Sequence, residues 1–171
     1  MACRFDGPDG RVRLIGIFED RSQLIIYHFM FHPEWEDGCP SCTAGTHELS
    51  RGFMEHLHVR DTSYAMVSRA PLPKLQRWKA SKGWHLPWYS SFGSDFNFDF
   101  GVTIDAARGF GEYNYRSLDE YAATGQESMK TADQPSDMPG RSLTALGRQE
   151  EWEQPAGRSE SARSATPDFA S

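Results

Sequence analysis

Two thiols three residues apart, in Cys39-Pro40-Ser41-Cys42, are the side chains of this sequence best suited to making and breaking a covalent bond. Three cysteines cannot all pair, and in a reducing compartment a close Cys-x-x-Cys is more often redox-active or metal-binding than a structural staple. The spacing predicts Cys39 at a helix N-cap, Pro40 at the first helical position, where a missing N–H costs nothing, and Cys42 one turn in. A Cys39 thiolate there faces the unpaired N–H groups of the first turn and the positive end of the helix dipole, which favour the reactive anion. Cys39 is therefore the expected attacking sulfur and Cys42 the resolving one, acting through a mixed disulfide with the substrate. Glu34, Glu36 and Asp37 lie just upstream and oppose the dipole, which favours a reductant over an oxidant.

Other residues near the pair carry weaker expectations. Trp35 is read as the lip of a substrate site, with an aromatic packed over the helix start as the equal alternative. Pro40 is expected to contact the substrate beside Cys39. His28 invites a proton-relay role toward Cys42, outweighed by a buried structural histidine. A zinc site from Cys39, Cys42, His32 and His47 is a formal alternative, but the two histidines lie at unlike spacings and no second Cys-x-x-Cys exists. No metal and no cofactor is expected.

The elements that must position the dithiol follow from periodicity. Leu24 to Phe31 is an apolar run that reads as a buried strand, and the segment after it sets Cys42, Leu49, Phe53 and Leu57 near one helical face. Ser63 to Ser68 reads as a second buried strand, making a βαβ unit. Before it, the turn signal Asp6-Gly7-Pro8-Asp9-Gly10 leads into a short edge strand at Arg11 to Leu14, and Ile15 to Phe18 suits a helical turn. After it, Leu72 to Lys82 is an amphipathic helix stopped by Gly83, with Lys74, Arg77 and Lys79 on a solvated face. Trp84 to Ser91 suits a short edge strand, Ser94 to Val102 fits helix or strand equally, and Ser117 to Glu120 matches a capping box that opens a helix to about Ala123. Asp95 and Asp99 are expected to cap or bond locally rather than act as a catalytic pair. Cys3 is expected to be an incidental exposed thiol.

Length and charge bound the function. With 171 residues, the chain has room for one ordinary core and a tail. Its net charge of −6, with dispersed basic residues, argues against nucleic acid as a partner. No apolar run reaches bilayer length and the N-terminal stretch has no signal-like core, so a soluble, cytoplasmic protein without membrane contact is expected. The expected organisation is a folded domain over 5–124, a poorly ordered linker-like segment over 125–151 and a disordered tail over 152–171.

Four stretches together resemble a known family: Gln23 to Phe31, Trp35 to Cys42, Val67 to Leu72, and Pro87 to Asn97. They are similar to an uncharacterised thioredoxin-like family, catalogued as a domain of unknown function and often labelled dithiol-disulfide isomerase. The resemblance covers Phe5 to about Tyr115 and resumes at Leu143 to Trp152. It implies an α/β fold with a thioredoxin-like, peroxiredoxin-type βαβ core and a thiol-disulfide oxidoreductase or isomerase role for Cys39 and Cys42. The implied partners are a protein or small-molecule disulfide substrate and an electron donor of unknown identity. Family members continue from a Pro-Gly like Pro139-Gly140 into a hairpin and a final helix, whereas here Arg141-Ser142 runs almost directly into Leu143. The C-terminal half of the sheet is thus expected to be incomplete, leaving an open edge for a homodimer. Pro139 matches the proline that packs against the dithiol in that fold. A peroxiredoxin-like peroxidase is one alternative, through Phe31-His32-Pro33 and the Val67 to Val102 block, although the threonine those enzymes place before the cysteine has no counterpart. A truncated, non-catalytic binding protein is the other.

Overall fold

The computed structural model describes residues 3–102, 112–113, 116–117 and 143–148. The chain opens with a hairpin, β1 (Arg4–Gly7) and β2 (Gly10–Arg13), whose turn is made by Pro8 and Asp9 with Gly10 at φ +115°. A single helical turn, α1 (Leu14–Ile17), leads to β3 (Gln23–His28), then α2 (Pro40–His47), α3 (Phe53–His58) and β4 (Thr62–Ser68). Next come α4 (Leu72–Lys82), β5 (Trp88–Ser90) and α5 (Phe96–Asp99). A two-strand ladder pairs β6 (Glu112–Tyr113) with β7 (Arg116–Ser117), and β8 (Leu143–Gly147) is the last described strand.

Six strands form one mixed sheet in the order β2-β1-β5-β4-β3-β8. The pairs β3–β4 and β4–β5 are parallel; β1 runs antiparallel to β2 and β5, and β8 antiparallel to β3. All seven residues of β4 are buried, as expected for a central strand covered on both faces. The alternation of β3 and β4 then sorts two cores. Leu24, Ile26, Ala65 and Val67 pack with Phe5, Ile17, Phe18 and Phe96 on one face. Tyr64 and Met66 pack with Phe29, Phe31, Cys42, Leu75 and Trp88 on the other.

Several expectations change at this level. The helix expected to run on from the dithiol is two helices, interrupted around Ser50-Arg51-Gly52, where a serine and a glycine weaken helix propagation. The strand predicted from Leu24 to Phe31 stops at His28, where the Phe29 N–H is shared between Val67 O and Tyr27 O, each at 3.0 Å, the second closing a three-residue turn. The Trp84 to Ser91 stretch contributes only Trp88–Ser90, and that strand is interior: it lies between β4 and β1, which buries Trp88 and Ser90. Ser94 to Val102 resolves as the short helix α5, ended by Gly101 at φ +62°. Ser117, expected as an N-cap, sits in β7, and the rest of that expected helix lies outside the described residues. As predicted, α4 ends at Gly83, at φ +67°, with the Gly83 and Trp84 N–H groups turned back to Ala80 and Lys79 carbonyls.

The largest correction concerns the expected open edge. Residues 143–147 fall in the stretch read as linker-like, yet they run as β8 beside β3, Leu143 opposite Tyr27 and Gly147 opposite Gln23. His28 Nε2 and Thr144 Oγ1 are 2.7 Å apart across this pair. The β3 side of the sheet is therefore paired within the chain, and the outermost strands of this sheet are β2 and β8. The strand escapes sequence reading because Leu143-Thr144-Ala145-Leu146-Gly147 is short and only partly apolar; the buried partner strand supplies its reason to be extended. The expected boundaries at 124 and 151 and the tail over 152–171 lie outside the described residues.

Candidate functional site

The dithiol is built by the exit from β3 and the start of α2. Cys39 is the N-cap, with extended backbone (φ −49°, ψ 126°), and Pro40 opens the helix. The Cys39 N–H donates to Met30 O at 3.0 Å, closing the 31–38 loop back onto the end of β3. At its other side the Cys39 carbonyl accepts from Thr43 N and from Thr43 Oγ1, each at 2.9 Å. Thr46 repeats the pattern one turn on, its hydroxyl donating to Cys42 O at 2.9 Å. The main chain of both cysteines is thus held from two directions.

Both thiols are free, and they differ in access: Cys39 is half-buried, Cys42 only 6% exposed. The two sulfurs lie near one another at the start of α2. The Cys42 sulfur also faces the Tyr27 hydroxyl and the Met30 main-chain N–H. Burial pushes the Cys42 thiol up from its ordinary value, with the neighbouring Cys39 adding to the rise, while the donors from Met30 and Tyr27 pull the other way. Burial, with the two sulfurs nearby, pushes the Tyr27 phenol far above its ordinary range. Tyr27 is therefore a hydrogen-bond donor at any working pH.

The loop before the dithiol is fixed by packing and by one lysine. Gly38 is buried, and a β-carbon there would meet Phe29 Cε1 at 2.8 Å and Trp78 Nε1 at 3.0 Å. Only glycine lets the chain pass so close to the Phe29 ring on its way to Cys39. Lys74, expected on a solvated helix face, instead reaches across from α4 and donates from Nζ to both Pro33 O and Trp35 O at 2.7 Å. Its ammonium also lies 5.8 Å from the centre of the Phe31 ring. The half-buried Trp35 packs at the border of the same core as Cys39, so Trp35, Pro40, Cys39 and Cys42 come together in one region. Pro139 lies outside the described residues.

Three other expectations are revised by position. His28 points to the opposite face of the sheet from Cys42, stacked on Phe96 with ring centres 5.7 Å apart, so it has no path to relay a proton to that sulfur. Cys3 is half-buried rather than exposed, and its Sγ donates to Asp99 Oδ2 at 3.5 Å. Burial and that carboxylate push the Cys3 thiol up to about 11, which makes it a poor nucleophile. Among the described residues, no three His, Cys, Asp or Glu side chains converge as metal ligands, and His47 is engaged with Trp84 Nε1 at 3.5 Å. Tyr27, Met30 and Lys74 are site residues that sequence reasoning missed. For Tyr27 the signal was present: strict alternation along β3 puts it, two residues after Ile25, on the face that the following helix covers.

His28 carries a prediction of its own. Its burial pushes the imidazole down from 6.5 to about 4. The unfolded chain takes up a proton as pH falls below about 6.5, whereas the folded chain does so only near 4. Stability is therefore full above the unfolded value and declines as pH drops through that window, by up to about 3 kcal/mol. Denaturant midpoints at about pH 7 and pH 4.5 should show this loss. The non-titrating His28→Gln variant should lose less over the same interval, and an identical slope in the two proteins would contradict the assignment.

The family model described as a bacterial protein of unknown function, DUF899, matches residues 1–152. No curated protein matches the chain. No helix among the described residues is long and apolar enough to cross a membrane.

Proposed function

Because the chain belongs to the DUF899 family, whose description leaves its activity open, we propose a function from the site itself: a thiol-disulfide oxidoreductase that works through Cys39 and Cys42. The observation that carries this reading is a pair of free thiols on one helix start, Cys39 accessible at the N-cap and Cys42 buried one turn deeper. The Cys39 thiolate attacks one sulfur of a substrate disulfide, forming a mixed disulfide and expelling the first substrate thiolate. The Cys42 thiolate then attacks Cys39 Sγ, the Cys39–substrate bond breaks, and the second substrate thiolate leaves. The substrate disulfide is reduced by two electrons and the dithiol oxidised by two. Exposed Glu34, Glu36 and Asp37 in the preceding loop disfavour a strongly oxidising pair, which supports reduction or isomerisation as the working direction. Trp35 and Pro40 flank Cys39 as the substrate-contacting surface.

The same reading takes the fold as thioredoxin-like. A parallel strand feeds the dithiol helix, and an antiparallel strand lies beside it, which is the neighbourhood such a site uses. The reading assigns the protein a reducing, cytoplasmic setting, in which a donor returns the pair to its dithiol form.

The test is a stoichiometry. In a Cys3→Ala background, the reduced protein mixed with a chromogenic aryl disulfide should release two aryl thiolates per chain in two kinetic phases. Peptide mapping should then find a Cys39–Cys42 disulfide. Release no faster than that of a simple free thiol, or no bond between these two cysteines, would overturn the reading.

A further inference from the structure

The resolving step needs the Cys42 sulfur as an anion, yet Cys42 is the buried member of the pair. Water cannot stabilise a thiolate there, so the protein must. Two donors lie on the side of that sulfur, the phenol O–H of Tyr27 and the main-chain N–H of Met30, both packed in the same core as Cys42. Both come from β3 and its exit. The Met30 carbonyl meanwhile holds the Cys39 N–H at 3.0 Å, which ties the exit of β3 to the start of α2. The tip of Tyr27 lies against α2 just beyond Cys42: a β-carbon on Gly45 would stand 3.8 Å from its hydroxyl oxygen. The Tyr27 ring is set edge-on to Phe29, with ring centres 6.2 Å apart.

We propose that Tyr27 is the side chain that makes Cys42 a competent resolving nucleophile, by donating its O–H to the Cys42 thiolate beside the Met30 N–H. This rests on the thiol-disulfide exchange reading above. Tyr27 transfers no proton. Cys42 releases its own proton to solvent, its sulfur lone pair forms the bond to Cys39 Sγ, and the electron pair of the broken Cys39–substrate bond leaves on the substrate sulfur, which takes up a proton. The titratable groups facing this pair are Cys39 at the start of α2 and Tyr64 on β4.

The test separates the two steps with Tyr27→Phe, which removes the hydroxyl and keeps the ring. One hydrogen bond to a charged group is worth about a factor of ten in thiolate population. Measured by thiolate ultraviolet absorbance in a Cys39→Ser, Cys3→Ala protein, the Cys42 titration should therefore move up by about one pH unit on adding Tyr27→Phe. A more basic thiolate is also a better nucleophile, which recovers about half of that on a logarithmic scale, so resolution should slow by about threefold. With the chromogenic aryl disulfide and both cysteines present, the first release should keep its wild-type rate and the second should slow. A ring-fluorinated tyrosine at position 27 gives the reverse sign, since a stronger donor lowers the Cys42 titration, and it keeps the test open if Tyr27→Phe does not fold. An unchanged second phase, an unmoved titration, or equal slowing of both phases would overturn the role of Tyr27 while leaving exchange intact. Absence of the second release in the wild-type protein would instead overturn the exchange reading itself.

Discussion

Cys39→Ser is expected to remove disulfide reduction altogether, while Cys42→Ser is expected to react once and stop. A serine hydroxyl is not ionised near neutral pH and is a far weaker nucleophile than a thiolate, so turnover should fall by about a thousandfold or more. The buried Cys42 cannot substitute, because an external disulfide must reach the attacking sulfur and Cys42 is 6% exposed. Burial also keeps the Cys42 thiol protonated more strongly than an ordinary cysteine. In Cys42→Ser, Cys39 should still attack, release one substrate thiolate and remain joined to the other half. The measurements are turnover with an excess of a small dithiol as reductant, and intact mass in a Cys3→Ala background. Turnover within tenfold of wild type in Cys39→Ser, or no trapped adduct in Cys42→Ser, would reverse the assigned order of the two sulfurs.

Phe29→Ala is expected to cost about 3–5 kcal/mol of folding stability, as for other large aromatic truncations in cores. Phe29 is 2% exposed, and its ring centre lies 4.7 Å from that of Trp88 and 5.9 Å from that of Trp84. It is also the surface over which Gly38 passes immediately before Cys39. Removing the ring opens a cavity that joins the core to the loop leading into Cys39. Total stability of an ordinary domain is about 5–15 kcal/mol, so the variant should sit near the edge of folding. Denaturant titration should show a large fall in midpoint, with exchange activity falling as well. Phe29→Leu, which refills much of the volume, should lose clearly less. A loss below about 1 kcal/mol in Phe29→Ala would mean that the Trp84 and Trp88 rings close the gap and that this contact does not organise the site.

The two expected effects draw on different levels of information. The placement of Cys39 at the N-cap and Cys42 one turn in was legible from Cys39-Pro40-Ser41-Cys42 alone, because N-cap geometry and a proline at the first helical turn are local properties. The two buried parallel strands were legible because runs such as Ile25-Ile26-Tyr27 and Tyr64-Ala65-Met66-Val67 are dense in β-forming side chains. The loop between them was not. Lys74 looks like any exposed lysine of an amphipathic helix, and only the folded chain brings the carbonyls of Pro33 and Trp35 to its ammonium. His28 shows the converse error: nearness in sequence to the dithiol suggested a relay, but strand alternation sends it to the other face of the sheet.

What the residues determined unaided is the chemistry on offer: two thiols at the mouth of a helix, behind a buried strand, in an acidic chain without a basic face. What only the tertiary structure decided is the surroundings of the second sulfur and the pairing of β8 with β3. Tyr27 reaches Cys42 because a strand and a helix pack, and Thr144 reaches His28 across 116 residues of chain because β3 leaves an edge to be paired. Such contacts leave no local mark, since their free energy comes from burying groups against partners that the intervening sequence does not specify.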